Sequence, residues 1–296
     1  MFLISGLINI ETTLKIEQFP LDYFPVTYNF GGVGDTVSGV ATNVGKALHT
    51  LGREVRLVGL LGRDPLSQLA AHALQADGLD GRYLLPHLAQ LPRSVILYDE
   101  NGRRQIHLDL KEIQESRYPE AEFTAALAGC HMAIISTVNF NRFLLPLARA
   151  AGLPIATDVQ AIQNLHDEYN RDFMASADIL FQSHEQLPCS PEEWAEAVLG
   201  TYPARIVGIG MGGDGALLAV RGEGLRRFAA VTTRPIVSTI GAGDALFSAF
   251  LHGYTQHNDP WQAMSAAVAF ASWKIGTRGA AEGFLNAAEL AALLGK

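Results

Sequence analysis

The stretch at residues 238–251, STIGAGDALFSAFL, constrains this chain more than any other. It opens on small and turn-forming residues, Ser238, Thr239, Gly241, Ala242 and Gly243, and then takes up a helical period. Leu246, Ala249, Phe250 and Gly253 fall at i, i+3, i+4 and i+7, one face of a helix. The glycine run is therefore a loop entering a helix N-terminus. The first amides of a helix have no intrahelical acceptor, and the macrodipole adds partial positive charge, so the element suits an anion, phosphate above all. Glycine lets the backbone approach such a ligand closely. Asp244, at the helix start, reads in two ways: as a cap, or as a base held beside a bound phosphate.

Composition bounds the rest. The chain has 296 residues, 48% hydrophobic and 18% charged, a globular balance with enough length for a large core. Its net charge is −8. An acidic chain without a basic run gains no electrostatic help from nucleic acid or an anionic membrane, so neither is an expected partner. No run reaches the roughly 18 apolar residues of a membrane span. The opening MFLISGLINI lacks a basic leader region and a clear cleavage site, and reads as a first strand. Cys130 and Cys189 form no metal-type spacing and indicate no disulfide framework, so a reducing cytoplasm is the expected setting.

Hydrophobic runs predict strands at 2–8, 54–60, 132–136, 154–157, 179–181 and 205–209. Helices are expected at 38–51, 65–76, 140–151 and 191–199. Such alternation predicts an α/β fold, a doubly wound, mostly parallel sheet with helices on both faces. A late antiparallel pair, 216–220 with 225–231, precedes helices at 244–255, 261–274 and 287–294. Two pieces interrupt the alternation. Residues 11–30 carry Pro20 and Pro25 and read as edge strands with turns. Residues 93–99 and 103–110 flank Glu100-Asn101-Gly102, a hairpin signal. Strands without a place in a parallel sheet predict a small separate β layer from about 11–35 and 92–112. No repeat or linker divides 1–296, so a single domain is expected.

The 238–251 stretch resembles the C-terminal signature of the ribokinase-like, or PfkB, family of sugar and nucleoside kinases. The match is complete from Ser238-Thr239 through Gly241-Ala242-Gly243-Asp244 to Ser248-Ala249-Phe250. A second match runs from Gly31-Gly32 through Gly39 and Asn43 to Gly52 and Gly62, with mild departures at Ser38 and Gly45. The resemblance covers nearly the whole chain. It implies a ribokinase-like fold with a β lid over the sugar site, often paired with a second subunit, and hence a homodimer. It implies transfer of the ATP γ-phosphate to a hydroxyl of a small sugar. Asp244 would be the base, and the amides of Gly241, Ala242 and Gly243 the anion hole. Mg²⁺ would bridge the phosphates. Thr277-Arg278-Gly279-Ala280 resembles the family's loop beside adenine and a monovalent cation, K⁺. A nucleoside acceptor is the alternative within the family.

The same resemblance distributes the other candidates. The opening Gly6-Leu7-Ile8-Asn9-Ile10-Glu11 resembles the ribokinase opening that faces the sugar, so Asn9, Glu11, Gly32 and Asn43 are expected to hold acceptor hydroxyls. Glu11 is otherwise an exposed strand end, and Asn43 a solvated edge of its helix. Gly212 and Gly215 match the motif lining the ATP phosphates, with Gly210 where the family has Thr or Lys. Thr239, Thr277 and Gly279 complete the expected ATP contacts. Asp158 follows a strand and is either a helix cap or a group near the transferred phosphate. The family's Asn-x-x-Glu motif, which organises Mg²⁺ through water, meets Ser183 and Gln186 here, with Glu185 one residue early. Asp158 and Glu185 are thus the metal-side candidates. Two other patterns compete. Gly45-Lys46 lacks a glycine at 40 and is followed by Ala47, so it is not a P-loop. Gly210, Gly212 and Gly215 spell G-x-G-x-x-G, but a strand and not a helix is expected after them. A nucleotide-dependent oxidoreductase and a non-catalytic sugar-binding relative remain the competing classes; a binding relative would not need Asp244.

Overall fold

The computed structural model describes residues 1–100 and 102–295. The strands are β1 Phe2–Ser5, β2 Asn9–Lys15, β3 Val33–Ser38, β4 Val55–Gly62, β5 Asp80–Leu88, β6 Arg93–Tyr98, β7 Arg104–Asp109, β8 Met132–Ile135, β9 Ile155–Asp158, β10 Ile179–Ser183, β11 Ile206–Gly210, β12 Ala216–Val220 and β13 Gly224–Phe228. The α-helices are α1 Val40–Thr50, α2 Pro65–Ala76, α3 Glu120–Leu127, α4 Asn139–Arg142, α5 Leu145–Ala150, α6 Arg171–Ser176, α7 Pro191–Thr201, α8 Ala242–His257, α9 Pro260–Lys274 and α10 Ala287–Leu293.

Nine strands form one sheet in the order β13-β12-β11-β10-β9-β8-β1-β4-β5. Neighbours from β5 through β11 are parallel, and β12 and β13 fold back as an antiparallel pair. Alternation along β1 builds two cores. Phe2 and Ile4 face α1, α8 and α9, while Leu3 faces α3 and α5. Chain order reverses at β1, which has β4 on one side and β8 on the other. Ligands of open α/β sheets bind outside the carboxyl ends of strands at such a switch. A second sheet, β3-β2-β6-β7, stands apart as the expected lid layer.

The structure refines several expectations. The first strand stops at Ser5, and β2 begins at Asn9, because the chain turns there from the central sheet into the lid. Residues 16–32 hold no strand; the antiparallel partner of β2 is β3, past both prolines, and β6 pairs with its other edge in parallel. The hairpin β6–β7 forms, with the Gly102 amide donating to the Asp99 carbonyl at 3.2 Å; Asn101 itself lies outside the described residues. The helix expected at 140–151 is two short ones, α4 and α5. Pro146 has no amide to continue an i→i−4 ladder, so the helix restarts there. The run Gly210–Gly215 ends in β12, which pairs antiparallel with β11, so it is a hairpin turn and not a dinucleotide-type strand-to-helix loop.

Candidate active site

The site assembles where α8 starts, at the carboxyl side of β1 and β9 and under the lid. Gly241 caps α8 in the left-handed region, φ 77°, and a Cβ there would stand 2.5 Å from the Ala280 carbonyl oxygen. Only glycine meets both conditions without strain. The Ala242 amide closes a turn onto the Thr239 carbonyl at 3.2 Å. Gly243 and Asp244 follow in the first turn, where amides lack intrahelical acceptors and the dipole is positive. Gly243 is exposed, with no atom within 4 Å of where its Cβ would stand. The helix is held by its apolar side: Phe247 and Phe250 each lie 5.0 Å from the Phe181 ring of β10.

The Asp244 side chain is not a cap. It accepts from Asn43 Nδ2 at 2.7 Å, a contact between the first turns of α8 and α1. Ser38 Oγ lies 3.2 Å from Asn43 Oδ1 and 3.0 Å from Glu11 Oε2. A hydroxyl has one proton, so Ser38 serves one of these two acceptors at a time. The chain Glu11–Ser38–Asn43–Asp244 links the lid to the helix start. On the same face of β2, Asn9 Nδ2 donates to Ser94 Oγ at 2.8 Å. Asn9 Oδ1 and Glu11 Oε1 are buried with no partner among the described residues. Unpaired buried acceptors are costly, and a bound hydroxyl would satisfy them. Gly32 lies farther out along the lid, in a cavity of about 170 Å³ lined by Thr13, Asp35, Tyr98, Arg278 and Glu282 among others.

Four titratable groups are perturbed here. Burial pushes Asp244 up to about 7; the Asn43 hydrogen bond opposes this, and the negative charges of Asp158 and Glu11 add to it. Asp158, at the end of β9, is pushed up to about 6 by burial, against the hydrogen bond from the Gln160 amide at 2.7 Å. Glu11 is raised by burial, opposed by Ser38 and by the charge of Lys274. Lys274, fully buried, is lowered by burial to about 8, opposed by the charges of Asp244, Glu11 and Glu282. A carboxylate poised near neutrality beside a helix N-terminus can take a proton from a hydroxyl while the helix start holds an anion.

Of the nucleotide-side candidates, Thr239 precedes the helix start and Gly279 adjoins Ala280, which packs against Gly241, while Gly210, Gly212 and Gly215 lie in the β11–β12 turn. Gly212 sits in the short turn Gly212–Asp214, and Gly215, φ 95°, lies where a Cβ would meet the Phe228 carbonyl at 2.0 Å. Gly210 ends β11, and its carbonyl accepts from the His184 amide at 2.9 Å. Thr239 Oγ1 accepts from Arg104 of the lid at 3.2 Å. Thr277 ties its own loop together through the Lys274 and Glu282 carbonyls, and the Gly279 carbonyl accepts from Lys274 Nζ. Glu185 is exposed and lies 3.8 Å from Arg104, away from the Asp244 cluster's hydrogen bonds. Three residues that the sequence left without a role contact the candidate residues or act on their charge: Ser38, Ser94 and Lys274. Ser38 had a signal, its departure from the second signature. Lys274 reads in sequence only as a helix end.

The family model described as pfkB family carbohydrate kinase matches residues 3–287. An acarbose 7(IV)-phosphotransferase of Actinoplanes is 29% identical over 255 residues, 85% of this chain and 84% of that protein. An ATP-dependent ribose-1-phosphate kinase of Halopiger xanaduensis is 25% identical over 289 residues, 93% of this chain and 92% of its own length. Among solved structures, a microbiome-derived acarbose kinase superposes with a TM-score of 0.89 at 25% identity, covering 100% of this chain and 99% of that one. The ribokinase of Arabidopsis thaliana complexed with ribose and ATP gives 0.83 at 19% identity, covering 99% and 98%, and shares the fold. With the glycine-rich helix start, the carboxylate beside it and the lid all in place, the match along nearly the whole chain identifies it as a member of the pfkB family of carbohydrate kinases.

Proposed function

We propose that this phosphotransferase moves the ATP γ-phosphate to a sugar hydroxyl held between the lid and α8, with Asp244 as the base. The observation that carries this reading is the Asp244 carboxylate, oriented by Asn43 and raised to about 7 beside the Gly241 helix start. Phosphoryl transfer needs positioning and charge stabilisation more than covalent chemistry. Asp244 takes the acceptor proton, and the amides at the start of α8 hold the charge developing on the phosphoryl oxygens. Asn43 positions the base, and a free amide proton leaves it able to reach an acceptor hydroxyl as well. Asp158 fits an Mg²⁺ ion: its carboxylate has no ion-pair partner among the described residues, and its charge is felt by Asp244. When bound, Mg²⁺ would neutralise phosphate charge. The lid also supports pairing of two copies, since its Val33, Val95, Ile106 and Leu108 are exposed; a monomeric mass at micromolar concentration would remove that part.

The acceptor is read by Asn9 and Glu11. A carboxylate oxygen without a partner can take a hydrogen from a diol, and Asn9 Oδ1 beside it takes another. The relatives' names supply candidates: acarbose, ribose 1-phosphate and fructosamines. The test is ADP release over these, free monosaccharides and nucleosides. The best substrate should lose about 10²-fold or more in kcat/KM when the diol is reduced to a deoxy analogue, and Glu11→Ala should erase that preference. An unchanged kcat/KM in Glu11→Ala removes Glu11 from the site. A nucleoside as the best acceptor favours the nucleoside-kinase alternative.

A further inference from the structure

Lys274 is 0% exposed, and a buried ammonium is tolerated only when it is paired and hydrogen-bonded. Its Nζ donates to the Ile240 carbonyl at 2.8 Å and to the Gly279 carbonyl. These two carbonyls belong to the two loops that meet at the active site. Ile240 immediately precedes Gly241, the N-cap of α8. Gly279 precedes Ala280, whose carbonyl stands against Gly241 so closely that no Cβ fits between. The loops are joined again behind the lysine, where the Val237 and Ser238 amides donate to the Ile275 carbonyl at 2.8 and 3.0 Å. A single positive charge thus sits between two backbone carbonyls, under the peptide that opens the anion hole.

This is the loop to which the family resemblance assigns a monovalent cation. Such ions are held by converging backbone carbonyls. Here the carbonyls of Ile240 and Gly279 already point at an ammonium of the same charge. A K⁺ ion sharing them would face like-charge repulsion in a buried setting, where it is strong. The residues present do not fit a bound K⁺.

We propose that the Lys274 ammonium stands in for the monovalent cation, fixing the Ile240–Gly241 peptide and so orienting the anion hole, and that the enzyme works without K⁺. Lys274 is a positioning residue in this account, because it acts through the backbone of α8's first turn. Burial works against the charged form, and the two carbonyls with the charges of Asp244, Glu11 and Glu282 offset it. The proposal rests on the kinase reading above.

The test compares wild-type protein with Lys274→Met in KCl, NaCl and tetramethylammonium chloride at equal ionic strength. Wild-type turnover should agree within about twofold in the three salts, and its Tm should show no K⁺-specific rise. Lys274→Met should lose about 10²-fold or more in kcat, the size expected when an anion-hole donor is misplaced. K⁺ should restore part of that rate with saturation, and should raise the variant's Tm by binding the vacated carbonyls. A purely structural lysine would show the loss without the rescue, and that result overturns the proposal. So does wild-type turnover, or a wild-type Tm, that depends on K⁺. The wild-type arms decide the matter if Lys274→Met does not fold. Absence of turnover in every salt would instead count against the kinase reading, and the Tm comparison still tests the cation.

Discussion

Asp244→Asn is expected to fold, to bind ATP and to lose about two to four decades of kcat, the usual worth of a positioned base. The substitution keeps the size of the side chain, and the new carboxamide oxygen can accept the Asn43 bond now made at 2.7 Å. The pH dependence separates this account from a loss of fold. Burial holds Asp244 near 7 in the native state, against about 4 in an unfolded chain. The native state therefore keeps a proton that the unfolded state has released between those values. Unfolding free energy then falls as pH rises through that window, and Asp158 and Glu11, also raised, act in the same direction. Below about 4 both states are protonated and the penalty vanishes. A carboxamide cannot ionise, so Asp244→Asn should melt higher than wild type at pH 8, with the gap closing toward pH 4. Wild-type kcat/KM should fall about tenfold per unit below an apparent pKa near 7, since only the carboxylate accepts the proton. A variant less stable than wild type at pH 8, or with near-normal kcat, contradicts the assignment.

Gly241→Ala should be nearly as damaging by a different route. A left-handed φ costs a non-glycine residue roughly 1–2 kcal/mol. The added Cβ would also stand 2.5 Å from the Ala280 carbonyl oxygen and 3.0 Å from its Cα, which are backbone atoms that cannot rotate away. Either the start of α8 or the 279–280 loop must move, and Lys274 ties both. We expect a clear drop in the denaturation midpoint and a fall in kcat of about 10²–10³, the range seen when one anion-hole donor is lost. Gly243→Ala is the stability control. Its Cβ meets open space, so the midpoint should hold or rise, whatever the effect on phosphate binding. Equal midpoints for Gly241→Ala and wild type would show that the strained turn is not needed.

The helix start was readable because its signal is local. Glycines, an acid and a helical period within fourteen residues define Gly241 and α8 without help from the rest of the chain. The lid was readable in kind but not in extent. The hairpin β6–β7 announces itself through its turn, whereas β3 follows an irregular aromatic stretch that hides its start. Strand β5 carries Asp80, Gly81 and Pro86, residues poor in strands, and forms because an edge position next to β4 tolerates them. The short helices α3 and α6 carry too few turns to show a period. The roles of Lys274 and Ser38 were not readable from spacing. The carbonyl at Ile240 lies 34 residues from Lys274, and Ser38 meets Glu11 across 27 residues, so both contacts exist only after the lid and α8 have docked. Glu185 shows the reverse case. It stands beside the expected motif, yet an arginine from the lid's edge strand lies near it, and only the tertiary fold brings Arg104 there.

The central claim is that a sugar hydroxyl receives the γ-phosphate at Asp244. The most direct measurement uses γ-labelled ATP with Mg²⁺ and the best acceptor from the screen, following label on the sugar, on inorganic phosphate and on residual ATP. Wild type should place label on the acceptor in step with ADP formation. Asp244→Asn should label the sugar at least about a hundredfold more slowly, with ATP still bound. Label released only as inorganic phosphate, or sugar labelled equally well by Asp244→Asn, would contradict the claim.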